Sequence, residues 1–243
     1  MCFTLRLHMS AAPTQGGLTQ ALGRRMTLTQ SEQLFEQFCE QHRIRCCRLP
    51  TADAQTPDYA IYLLRRKVVV EIKEISPNRE ELEAQRLARL GQFVAVSSTP
   101  GDRVRSKISK AVPQLKMATK GRFPGLLVLL DTGFAAEHTS SYNIRIAMHG
   151  FETHYLGVPQ DPSQPVYLKD KDFGSGKKTT PSNNTSLSAI AVLSNQAASP
   201  TMKIYHNPHA KVPLPLTSFV RYGVKQYGLQ PKYPGQVPDW QEL

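Results

Sequence analysis

The chain has 243 residues, 40% of them hydrophobic, and its 30 Lys and Arg outnumber 19 Asp and Glu for a formal net charge of +11. At that length roughly 70% of the unfolded surface can be buried, which removes any need for disulfides or structural metals, and the composition excludes wholesale disorder. The basic excess points to a polyanionic partner, nucleic acid first and an anionic membrane surface second.

The cysteines stand at positions 2, 39, 46 and 47. They match no zinc spacing and make a poor disulfide framework, so they read as reduced thiols in a reducing, cytoplasmic setting. No apolar run reaches the ~18 residues of a membrane span, and Met1 to Pro13 lacks the apolar stretch of a signal peptide.

Residues 1–28, rich in Thr, Gln, Gly and Ala, read as a flexible leader. Ser31 is a plausible N-cap for a helix to His42, with Leu34, Phe35, Phe38 and Cys39 at helical spacing. A short apolar piece, Ile44 to Leu49, and a polar loop, Thr51 to Thr56, come next. The runs Asp58–Leu64 and Lys67–Ile75 predict an antiparallel hairpin turning at Arg65-Arg66. Arg79–Leu90 reads as a helix with alternating charges, and Phe93–Ser97 as a short strand. Arg103–Arg122 holds seven Lys and Arg and no acid. An apolar stripe (Val104, Ile108, Ala111, Val112, Leu115) marks it as a helix that Pro113 should interrupt or kink. Gly125–Leu130 has the apolar character of a strand buried on both faces. Further strands are expected at Asn143–Met148, Ser188–Leu193 and Met202–Tyr205, with a mobile basic loop from Gly174 to Asn184. A last helix, about Leu216 to Tyr227, should precede a Pro-rich tail.

Chemistry concentrates between Pro57-Asp58 and Glu71-Ile72-Lys73. Side chains alternate along a strand, so Glu71 and Lys73 share a face. A turn at Arg65-Arg66 pairs Leu64 with Lys67, sets Ala60 opposite Glu71 and Asp58 opposite Lys73, and brings Asp58, Glu71 and Lys73 onto one face. A one-residue slip would move Asp58 to the other face. Paired carboxylates suit Mg²⁺, which neutralises phosphate charge and acidifies a bound water; a neighbouring ammonium can stabilise charge that develops in a transition state. His206 and His209 lack partners for zinc, and Gly174-Ser-Gly-Lys-Lys-Thr lacks phosphate-loop spacing and reads as a polar linker.

Pro57-Asp58…Glu71-Ile72-Lys73 resembles the PD-(D/E)XK motif of restriction-endonuclease-like enzymes and archaeal-type Holliday junction resolvases, and the element order from Thr29 to about Asp131 is similar to that superfamily's core. The resemblance implies an α/β fold with a restriction-endonuclease-like core, a central mixed β-sheet flanked by helices and a C-terminal elaboration. The corresponding division is a leader (1–28), a nuclease-like domain (29–228, core about 29–131 and elaboration 132–228) and the tail (229–243). It further implies a Mg²⁺-dependent deoxyribonuclease, with Mn²⁺ as an alternative ion and an endonuclease as the expected mode. Asp58, Glu71 and the Ile72 backbone carbonyl would be metal ligands, Lys73 the catalytic cation, and Glu32 a further ligand or water-positioning acid, with Glu36 as its alternative. Arg103, Arg105, Lys107, Lys110 and Gln114 would contact nucleic acid. DNA is the expected partner, with RNA and a homodimer left open and no membrane. The competing reading is a catalytically silent nucleic-acid-binding module on the same fold.

Overall fold

The computed structural model describes residues 28–50, 56–133, 136–161, 163–195, 199–231 and 237–243. The expected leader, apart from Leu28, and most of the polar loop at 51–56 lie outside the described residues.

Helix α1 (Gln30–Gln41) is capped by Thr29 rather than Ser31. The Thr29 hydroxyl accepts from the Glu32 N–H at 3.3 Å, and Glu32 Oε2 accepts from the Thr29 N–H at 2.8 Å. This reciprocal box needs an acid three residues after the cap, which Thr29 has and Ser31 does not. Strand β1 (Arg45–Arg48) leads to the hairpin β2 (Tyr59–Leu63) and β3 (Arg66–Ile75). Its turn is Leu64-Arg65, not Arg65-Arg66: both residues are left-handed (φ 49° and 64°), and Leu63 pairs with Arg66. Two left-handed residues are the geometry of a tight I′ turn, and the earlier turn leaves Leu63 fully buried and Leu64 outside. The shift from the expected register is two residues, so every side chain keeps its face.

Helices α2 (Arg79–Arg89) and α3 (Asp102–Thr119) follow. No strand forms at 93–97: β2 and β4 already occupy both sides of β3, and Phe93 is 98% exposed. Pro113 does not interrupt α3. It sits on the exposed side, as does Ser109, whose carbonyl it leaves unbonded within the helix and open to water. Strand β4 (Gly125–Asp131) is buried through Leu130, as expected.

The segment 143–148, expected as a strand, lies in helix α4 (Ser141–His149). Ile144, Ile146 and Met148 alternate, but Ile144, Ala147 and Met148 also fit a helical face. The Ser140 hydroxyl, accepting from the Asn143 N–H at 3.3 Å, starts the helix. The hairpin of β5 (Glu152–Gly157) and β6 (Tyr167–Phe173) forms a separate small sheet that the sequence pattern does not predict. The loop expected to be mobile is anchored where the buried Thr179 donates its hydroxyl to the Met148 carbonyl at 2.9 Å. Strands β7 (Ala189–Ser194) and β8 (Thr201–His206) match expectation. The expected last helix shrinks to α5 (Thr217–Val220), because Gly223 turns at φ 68° into β9 (Lys225–Gln230). The Pro-rich tail contributes β10 (Asp239–Glu242), antiparallel to β9.

The large sheet has the order β1-β2-β3-β4-β7-β8-β9-β10. Its β1-β2-β3 meander is antiparallel, β3-β4-β7 is parallel, and the far edge is mixed. Phe35 and Phe38 of α1 and Phe219 of α5 pack on one face against Val68, Val70 and Val128. On the other, Ile108 and Leu115 of α3 and Ile144 and Met148 of α4 pack against Val69, Leu127 and Ile190. The protein is thus an α/β molecule with helices on both sides of a large mixed sheet. No helix among the described residues is long and apolar enough to cross a membrane.

Candidate active site

At the start of β2 the ladder to β3 ends with the pair Tyr59–Val70. Asp58 lies just beyond it, and its Oδ2 accepts the backbone N–H of Ile72 at 2.7 Å. In an antiparallel ladder a residue directs its N–H and C=O to the same neighbour. Val69 N–H bonds on the opposite side, to Pro124 O, so the even-numbered residues of β3 face β2. The Ile72 carbonyl therefore opens on the Asp58 side, past the last paired residue. Glu71 and Lys73 occupy the face that packs against α3, and Lys73 Nζ makes an ion pair with Glu71 Oε1. Asp58, Glu71 and Lys73 come together as the spacing predicted, although the register puts Asp58 nearest Glu71 and Ile72 rather than opposite Lys73.

Glu71 is fully buried, and neither of its oxygens has an aligned hydrogen bond among the described residues. Burial pushes its carboxyl up to about 7; the Asp58 charge adds to the effect, while Lys73 and the Asp58 backbone oppose it. Asp58 is also raised, first by burial and secondarily by Glu32, against the pull of the Ile72 N–H, Lys73 and Arg48. Two carboxylates held above their ordinary range mark a place where negative charge is under-compensated.

The helix acids are both engaged. Glu32 Oε1 accepts from Arg48 at 2.7 Å, and Oε2 accepts from the Thr29 N–H and hydroxyl at 2.8 and 2.9 Å. Glu36 Oε1 accepts from the Tyr59 hydroxyl at 2.7 Å. Neither Arg48 nor Tyr59 stands out in the sequence. Arg48 lies in a four-residue strand of the pattern Arg-Cys-Cys-Arg, with no motif to mark it, and Tyr59 reads as an ordinary strand aromatic.

On α3 the five expected nucleic-acid contacts divide. Lys107 lies beside the cluster, held below its ordinary range by burial and by the charges of Lys110, Arg103 and Lys73. Lys110 is exposed. Gln114 Nε2 donates to the Thr56 carbonyl at 3.4 Å, two residues before Asp58. Arg103 instead ties α3 to α2, through Glu81 at 3.1 Å and the Ser76 carbonyl. Arg105 is turned inward, donating to the Pro100 carbonyl at 3.0 Å with its guanidinium 5.1 Å from the Phe151 ring centroid. At 9% exposure Arg105 is a buried contact. Its place next to Val104, on the packed side of the helix, corrects the expectation of a phosphate contact. His206 Nε2 lies 3.1 Å from Gln226 Oε1, and Cys39, Cys46 and Cys47 are free thiols.

No family model, curated protein or solved structure matches the chain.

Proposed function

We propose that the chain is a Mg²⁺-dependent nuclease of the PD-(D/E)XK type that hydrolyses phosphodiester bonds in DNA. The observation that carries this reading is Glu71: a fully buried carboxylate paired to Lys73 and close enough to Asp58 for the two negative charges to act on each other. Burying a carboxylate with only Lys73 and the Asp58 backbone to offset its lost hydration is costly, and a bound cation would supply the missing compensation. The element order α1-β1-β2-β3-α2-α3-β4, an antiparallel meander followed by helices and joined to a parallel fourth strand, supports the restriction-endonuclease-like fold.

The donors fit a hard divalent cation: carboxylates of Asp58 and Glu71 with the Ile72 carbonyl would hold it, with Glu32 near enough for its charge to act on Asp58. A bound Mg²⁺ supplies charge neutralisation at the phosphate and a water of lowered pKa. Glu71 must shed a proton to act as a ligand, and Lys73 keeps its carboxylate in place. Lys73 also offers an ammonium to negative charge developing on the phosphate oxygens. Lys107 and Lys110 lie where the substrate backbone would pass.

The test is incubation of the purified chain with circular single- and double-stranded DNA, in Mg²⁺ and in EDTA. The parent is expected to cut circles in Mg²⁺ alone. Asp58→Ala should abolish cutting while leaving metal-free DNA binding equal or tighter, because a negative charge has left the phosphate's path. Lys73→Ala should lose about 10²-fold or more in rate, and Glu32→Gln should cost more than Glu36→Gln. A parent that cuts neither DNA nor RNA, and whose DNA binding ignores both Mg²⁺ and Asp58→Ala, would leave the silent binding module as the correct reading.

A further inference from the structure

We propose that a second cavity, on the opposite flank of α3 from the carboxylate cluster, binds a phosphate group carried by a nucleotide or by the end of a nucleic-acid strand. Nine residues, two and a half helical turns, separate Lys107 from Lys116, so the two lysines project from opposite flanks. The cavity has a volume of about 470 Å³, within the size range of small-ligand sites. It is walled by the last turns of α3, the loop 182–186 and the segment at Lys211.

Its chemistry is one-sided. Lys116, Lys120 and Lys211 line it, with Ser182, Asn183 and Thr185 as polar neighbours and no acidic residue. None of the three lysines has an ion-pair partner among the described residues. Lysines often gather at a helix C-terminus because its exposed carbonyls attract them. Here two of those carbonyls are already engaged: Lys116 O accepts from the Lys120 N–H at 3.3 Å, and Thr119 O from Arg122 and Phe123 N–H at 2.8 and 3.3 Å. Lys211, moreover, arrives from a separate part of the chain.

Two further features fit a ligand. Thr119 lines the cavity at 1% exposure, and its hydroxyl has no hydrogen-bond partner among the described residues. A buried hydroxyl in that condition is costly unless something else completes it. Gly121, left-handed at φ 63°, gives Lys211 room: a Cβ there would lie 3.1 Å from Lys211 Nζ. A phosphate oxygen accepts from lysine ammonium groups and from a hydroxyl, the donors this cavity leaves unused.

The experiment uses the full chain in phosphate-free buffer with EDTA, so that its outcome is independent of the nuclease reading. Inorganic phosphate, adenosine 5′-monophosphate, and a short single-stranded oligonucleotide with and without a 5′-phosphate are titrated by calorimetry. Acylation of Lys116, Lys120 and Lys211 is followed by mass spectrometry in parallel. Phosphate-bearing probes should bind and slow acylation of these lysines. Lys116→Ala and Lys211→Gln should each weaken binding about tenfold, the scale of one charge-assisted hydrogen bond. Thr119→Val should weaken binding while leaving the thermal midpoint equal or higher, which a purely structural hydroxyl would not do. Protection by phosphate and adenosine monophosphate identifies a free nucleotide as the source, and protection by the 5′-phosphorylated strand alone identifies a strand end. The proposal is overturned if no probe binds, or if strands with and without the phosphate bind equally and the lysines acylate at an unchanged rate.

Discussion

Glu71 and His149 are buried titratable groups whose shifts oppose each other over nearly the same pH range. Glu71 is raised from 4.5 to about 7, so the folded state holds its proton more tightly than the unfolded chain does. Its contribution to stability is lost as pH rises from 4.5 to 7, by about 3 kcal/mol at the plateau. His149, 4% exposed with Nε2 unpartnered among the described residues, is lowered from 6.5 to about 4, by burial first and then by His209, Arg145 and Lys177. The unfolded chain therefore binds the extra proton, and stability is lost by a similar amount as pH falls from 6.5 to 4. In metal-free buffer the two slopes largely cancel. Glu71→Gln should leave a steep loss toward acid, and His149→Phe a loss toward neutral pH, both read as melting temperature against pH in EDTA. The Asp58, Glu71 and Lys73 cluster was legible in the sequence because strand side chains alternate, so a register error of two residues preserves the face. The contacts of Arg103 with Glu81, of Arg105 with Phe151 and of Glu32 with Arg48 were not legible, since each depends on a residue brought near by tertiary packing.

Helix α3 carries its stripe through Pro113 because packing of Val104, Ile108, Ala111 and Leu115 outweighs one missing hydrogen bond. Pro113 is exposed, so Pro113→Ala restores the bond without disturbing the core. Stability should rise, by up to about 3 kcal/mol, measured as a higher denaturant midpoint at unchanged slope; a lower midpoint would show that the proline sets a bend that the packing requires. The same competition explains which elements were readable. β4 and β7 are runs of apolar residues that only the middle of a sheet can bury. The segment 143–148 satisfies both periods and was settled by the Ser140 cap and the α3 surface, while 93–97 has strand composition but no edge to join. Helix 216–227 fails at Gly223, where the chain turns to extend the sheet.

At the scale of the molecule, residues 101–243 carry +8, from 17 basic and 9 acidic residues, and much of that charge stands clear of the carboxylate cluster. DNA binding should weaken linearly in log K against log salt, and replacing both Lys107 and Lys110 by alanine should make the slope shallower by about 0.9 for each phosphate that is no longer neutralised. An unchanged slope would mean that the duplex passes elsewhere, away from the exposed flank of α3. The charge total was plain in the composition. Its division between two flanks of one helix was not, because that division depends on helical phase and on the distant Lys211.

The β10 strand at the far edge has a consequence for spectroscopy. Trp240 is the chain's sole tryptophan; its ring lies 5.1 Å from Tyr205 and 5.6 Å from His149, and its Nε1 donates to the Ser141 carbonyl at 3.0 Å. Its emission therefore reports one event, the seating of a four-residue edge strand against α4 and β8. Short edge strands open at lower free energy than the core. In a denaturant titration the fluorescence should shift to the red before the far-ultraviolet dichroism changes. Coincident midpoints would instead place β10 within the cooperative unit that melts as a whole.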